Sequence, residues 1–253
     1  MIDQTSVPAM TSRNDDTKAD LFMAAIWGTG AIVLVASMRQ VLAEGLSMRH
    51  LAWLGLAVLT VVVGPLSARL PLPNCKVSFS DAAVFLSLLA FGPHFATVTG
   101  ALDGFAASTR RGGAWYKRAF NTAGMAISVF LSSQVFTHLL PEGRLRGPGL
   151  SAFDLVFPAV ALALVQCFVN TALVSIVMAL KERVSPVPVW RKASPWAATA
   201  YLAGSAAAAV VFLAVRKFGV VSTLGVLPFT AILYFTYHVC LNRMLKVRRA
   251  TTT

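Results

Sequence analysis

The chain has 253 residues, of which 57% are hydrophobic and only 13% charged, whereas a water-soluble domain carries about 25% charged residues. That balance excludes an ordinary soluble fold. The net charge of +12 would suit nucleic acid if it formed one basic surface, but Lys and Arg fall in short clusters between apolar runs, the distribution that orients membrane spans.

Residues 1–19 are polar and turn-rich and lack the basic start and apolar core of a cleavable signal peptide. They are expected to form a disordered cytoplasmic tail, ahead of a single transmembrane domain over 20–245 and a short basic cytoplasmic tail over 246–253. Apolar runs then follow at Leu21–Met38, Leu51–Ala68, Ala82–Leu102, Ala119–Pro141, Leu155–Leu180, Ala193–Val215 and Phe218–Asn242. Each is close to the roughly 20 residues that a helix needs to cross the hydrocarbon core. The predicted class is all-α, a polytopic bundle of seven or eight helical segments in a bacterial inner membrane with the C-terminus cytoplasmic. Its partners would be the lipid bilayer, a cytoplasmic signalling partner or transporter subunits, and a small-molecule ligand; no nucleic-acid role is expected.

The run around Leu88–Gly104, LLAFGPHFATVTGALDG, breaks the pattern. Proline lacks an N–H and disfavours helix at the residue before it, here Gly92. Gly92 and Pro93 are therefore read as a hinge, and 80–109 as a broken or re-entrant helix pair in preference to one kinked span. Counting Lys and Arg on alternate sides also favours a segment that enters and leaves on one side.

Two carboxylates bracket this segment. Asp81 follows Ser78 and Ser80 in SFSD, a helix-start pattern in which a carboxylate meets free N–H groups and the positive end of the helix dipole, so it is read as a structural cap. Asp103 falls late in its helix, where the dipole disfavours it, and shares a face with Thr99. It is either an ion-pair strut with Arg110, Arg111 or Arg118, or a ligand or proton site. His94, directly after Gly-Pro, is a further candidate because an imidazole titrates near neutral pH.

Beyond the pair, Asn121 opens the next span, and Gln166 and Asn170, four residues apart, share a face of a long helix. These carboxamides either bond a neighbouring helix or line a binding site with Asp103. Gly100-x-x-x-Gly104 and the Ala203–Ala209 run AGSAAAA supply small residues for close helix packing. Pro158 and Pro228 fall inside spans as expected kinks, and Pro65 after Gly64 is a stop signal. KERVSPVPVWRKASPW, Lys181–Trp196, is read as a cytoplasmic interfacial loop. Cys75, Cys167 and Cys240 have neither disulfide-framework nor zinc spacing. No hydrolase, metalloprotease or nucleotide-binding motif appears, so no enzyme activity, cofactor or metal is expected.

VSFSDAAVFLSLLAFGPHFATVTGALDGFAAS followed by RAFNTAGMAIS resembles the multi-spanning N-terminal membrane region of bacterial signalling proteins that end in GGDEF or HD-GYP domains, the cyclic-di-GMP synthases and hydrolases. The matching positions are Phe79, Ser80, Asp81, Gly92, Pro93, Asp103, Gly104, Phe120 and Asn121, then Trp190, Arg191, Trp196, Tyr201, Leu202, Ala203 and Gly204. No GGDEF or HD-GYP segment follows CLNRMLKVRRATTT, so this resemblance implies a sensory input module without its own catalytic output. That module would signal through its last helix, Arg243 to Arg249. Residues 77–104 are also similar to the substrate-binding membrane subunit of energy-coupling factor transporters. The second resemblance implies instead a small-solute-binding or transporting protein.

Overall fold

The computed structural model describes residues 10–45, 47–64, 67–69 and 76–250, with side chains over 17–45, 47–62, 64 and 80–220. The fold is all-α: α1 Met10–Ala43, α2 Met48–Val63, α3 Phe79–Phe91, α4 Pro93–Arg110, α5 Trp115–Leu139, α6 Glu142–Arg146, α7 Ala152–Glu182 and α8 Pro186–Ala250. A three-residue antiparallel ladder pairs Ser67–Arg69 with Lys76–Ser78 between α2 and α3. Four helices, in α1, α5, α7 and the first part of α8, are long and apolar enough to cross a membrane. Large apolar side chains such as Leu21, Ile32, Val58, Phe157 and Phe168 point outward, as lipid-facing residues of a membrane protein must.

The polar start of the chain departs from expectation. Helix α1 begins at Met10, ten residues before the expected boundary, and Ala19 is buried; residues 1–9 lie outside the described part. The first apolar stretch thus extends as helix beyond its own ends. The run Leu51–Ala68 is shorter as a helix than as a sequence, because α2 stops at Val63 with Gly64 as its C-cap. Pro65 and Cys75 lie outside the described residues. Lys181–Trp196 is not a loop: α7 ends on Arg183 in the left-handed conformation, and α8 starts at Pro186. Prolines in a first turn cost nothing there, since their missing N–H groups would have had no partner. Helix α8 breaks at Gly219 (φ 82°, ψ 168°), one residue into the second of the two apolar runs, Ala193–Val215 and Phe218–Asn242. Only backbone is described beyond Val220, which includes Pro228, Cys240, Arg243 and Arg249.

Gly92 and Pro93 do form the hinge. Gly92 takes φ 106°, open to glycine and strained for other residues, and serves as N-cap to α4 with Pro93 in its first turn. Helices α3 and α4, 13 and 18 residues long, or about 20 and 27 Å, then fold back on each other. Ser87 and Thr99, twelve residues apart in sequence, lie with their hydroxyls 3.2 Å apart. One continuous helix would separate them by about 18 Å. At the far end of the hairpin Ser80 hydrogen-bonds Asp103.

The hairpin defines the two ends of the bundle. Its tip meets the α1–α2 and α5–α6 turns: Arg49 donates to the Phe91 carbonyl, and Glu142 lies beside Gly92. Its open end lies with the starts of α1 and α5 and the end of α7, where Met23, Phe120 and Val177 cluster, Trp27 stacks on Trp115, and Lys181 sits 4.8 Å over the Tyr116 ring. The main core lies between α3, α5, α7 and α8, around Phe85, Leu88, Val129, Leu162 and Phe212. Small residues set the close approaches. A Cβ on Gly104 would come 2.6 Å from the Asn121 carbonyl of α5, and one on Gly204 would come 3.2 Å from Asp81 Cβ.

Candidate functional site

A cavity of about 590 Å³ lies at the open end of the hairpin. Its walls are Ser80 and Asp81 from α3, Asp103, Gly104, Ala107, Arg110 and Arg111 from α4, Asn121 and Met125 from α5, Asn170 and Val174 from α7, and Ala197, Ala200 and Tyr201 from α8; Gly64 adds the end of α2. The fold-back puts the first turn of α3 beside the third turn of α4, so both carboxylates face one space. Asp103 is 7% exposed. It receives the Ser80 hydroxyl, while its Oδ1 is buried without a protein hydrogen-bond partner.

Asp81 lies in the first turn of α3, two residues past its start. The dipole argument for it holds there, yet the same position turns it into the cavity beside Asp103. The arginines predicted as ion-pair partners do otherwise. Among the described residues no Arg lies within 4 Å of either carboxylate. Arg110 donates to the Val61 carbonyl at 2.9 Å, satisfying the C-terminal end of α2, where a cation also complements the helix dipole. Arg118 donates to the Gly113 carbonyl at 2.8 Å and lies off the cavity. Arg111, the exposed C-cap residue of α4, stands on the cavity rim.

The carboxamides separate. Asn121 and Asn170 line the cavity with Asp103, and Asn170 donates to the Tyr201 hydroxyl at 2.7 Å. Gln166 does not reach it. That side chain accepts from Ser132 Oγ at 3.0 Å and donates to Ser128 Oγ at 3.1 Å, both on α5. Both ends of the carboxamide are engaged in joining α7 to α5, and Gln166 does not line the cavity, so the expectation of a ligand contact at Gln166 is corrected to a helix–helix bond. His94 is likewise off the cavity, near the hairpin tip, with Nδ1 3.4 Å from Ser37 Oγ and its ring 6.4 Å from that of Phe130. An imidazole directly after the turn belongs at the tip, about nine residues along α4 from Asp103 and so some 13 Å away.

Tyr201 is the site residue that helical patterning does not single out; it enters the sequence argument only through the YLAG resemblance. A lone phenol in the Ala-rich start of α8 is the signal that marks it, since a buried Tyr needs a partner for its hydroxyl. Among the described residues no group of three or more His, Cys, Asp or Glu could hold a metal ion. What the cavity offers is two carboxylates within, guanidinium groups at the rim, and neutral hydrogen-bonding groups between them. No family model, characterised protein or solved structure matches the chain.

Proposed function

We propose that the chain is a solute-binding membrane protein of the bacterial inner membrane that senses occupancy of this cavity and relays it through α8. The observation that carries the reading is Asp103, whose buried Oδ1 lacks a protein partner in a cavity with polar walls. A desolvated carboxylate oxygen is costly to leave unpaired, so a group entering the cavity gains what the protein lacks. The relay rests on Tyr201, Ala200 and Ala197, which place α8 in the cavity wall. Basic residues at the open end, among them Lys18, Arg110, Arg111, Lys117, Arg118, Lys181 and Arg183, support a cytoplasmic placement of that end.

The test uses purified protein in lipid nanodiscs against size-fractionated bacterial metabolites, with thermal stability as readout. A fraction should raise the melting temperature of the wild type and leave Ala107→Phe, which fills the cavity without removing a charge, unshifted. If no fraction gives a shift sensitive to Ala107→Phe, the cavity is not a binding site and the reading is wrong. Transport is the second reading, and one observation favours it: a helix pair broken at Gly92, a discontinuity of the kind transporters are built around, although here the break lies at the tip and the cavity at the open end.

A further inference from the structure

We infer that the occupant of the cavity is a small zwitterion, with its cationic end on Asp103 and its anionic end on Arg111. This rests on the solute-binding reading above and deepens it. The first half comes from Asp103. A carboxylate only accepts hydrogen bonds, and Oδ1 of Asp103, a residue 7% exposed, has no donor from the protein. Asp81 lines the same space, so two carboxyl groups meet at the deep end of the cavity, and a cation placed there answers both where a neutral donor would answer one.

The second half comes from the rim. A guanidinium only donates. Arg110 is already committed to the Val61 carbonyl, whereas Arg111 lines the same cavity without an ion pair to either acid. Arg111 lies eight residues beyond Asp103 on one helix, roughly 12 Å along its axis, too far for a direct pair without the long side chain folding down. Two carboxylates and two guanidinium groups thus face one cavity held apart by helix geometry. A simple amine would leave the rim unanswered, and a simple acid the depth. A molecule carrying both charges answers both, and the Asn121 and Asn170 carboxamides between them can donate or accept along its length.

The experiment is calorimetric titration of the nanodisc-embedded protein with glycine, 4-aminobutanoate and 6-aminohexanoate, alongside butylamine, hexylamine, butanoate and hexanoate. One amino acid should bind at least about tenfold tighter than the amine and the acid of its own chain length. Asp103→Asn, nearly isosteric and still able to accept from Ser80, should weaken the amino acid and the amine about tenfold or more, while Arg111→Gln should weaken the amino acid and the acid and spare the amine. Thermal unfolding of both variants checks that they fold, and Arg111→Gln, at an exposed position, is the variant least exposed to that concern. An amine that binds as well as the matching amino acid would make this a cation site and overturn the proposal. So would binding of the amino acid that is indifferent to Arg111→Gln. If no probe binds while a metabolite fraction still gives a shift abolished by Ala107→Phe, the zwitterion is wrong and solute binding stands; if neither binds, both fall.

Discussion

The indole of Trp53 on α2 donates to Thr99 Oγ1 on α4 at 2.9 Å, in the buried interior of the bundle. Thr99 also bonds the Phe95 carbonyl at 2.9 Å and lies 3.2 Å from Ser87 Oγ on α3. One hydroxyl therefore ties three helices together beside the hairpin. Thr99→Val keeps the shape and removes the oxygen, leaving the indole N–H without its acceptor. Loss of such interhelical bonds in membranes costs about 0.6 to 1.7 kcal/mol. We expect a loss near the upper end of that range, measured by reversible unfolding in mixed micelles, and a smaller loss for Ser87→Ala.

Gln166 and Asn170 make a contrasting pair. Gln166→Leu should lower stability by about 1 kcal/mol, because Ser128 and Ser132 lose their shared partner, and should leave solute binding unchanged. Asn170→Leu should weaken binding, since it strips a polar wall group and releases the Tyr201 hydroxyl. Equal effects of the two changes on binding would contradict the assignment of Gln166 to structure alone.

Close approach of α1 to α5 predicts a difference between two glycines two residues apart. A Cβ on Gly30 would collide with Ala123 of α5, backbone included, while one on Gly28 meets nothing within 4 Å. Gly30→Ala should cost about 1 to 3 kcal/mol through overpacking. Gly28→Ala should be neutral or slightly stabilising, as helix propensity favours alanine. Parallel unfolding curves compare them directly.

The hairpin itself is open to chemical labelling. In a cysteine-free background, single cysteines at Lys76 and Gly112 should react with an impermeant reagent from one side of the membrane, and one at Glu142 from the other. Labelling of positions 76 and 112 from opposite sides would mean that α3 and α4 cross once. Gly92→Ala should retain the labelling pattern but lose about 1 to 2 kcal/mol of stability, because φ 106° is strained for any side chain.

Much of this was legible from residues alone. Gly92-Pro93 announced the break, since both residues act on their own backbone and need no neighbour to do so. Asp103, Asn121 and Asn170 were legible as polar groups in apolar helices, where each must find a use. Gln166 shows where that logic stops: it shares a helix face with Asn170, yet a turn of helix sets it against α5 serines instead of α8. Which neighbour a side chain meets depends on how helices cross, and no periodicity encodes that. The same holds for Arg110, whose acceptor is a backbone carbonyl of α2, and for Tyr201, whose partner is 31 residues away. The tract after Lys181 misled because proline reads as a loop signal unless the helix start is known to lie just before it.

The tip of the hairpin carries a last consequence. Phe91, Phe95, Trp53, Val98 and Val41 pack into one cluster just inside it, and Arg49 and Glu142 seal its outer side. The cavity lies at the opposite end of the hairpin, so this cluster of aromatic and aliphatic side chains stands between it and the tip. A solute that enters and leaves at the open end need not disturb the tip, and detection requires no more. Passage to the other side would demand that the tip at Gly92 part from α2 and break its seal. Locking the tip shut by a disulfide between positions 92 and 142 separates the two cases, for a sensor would keep working and a carrier would stall.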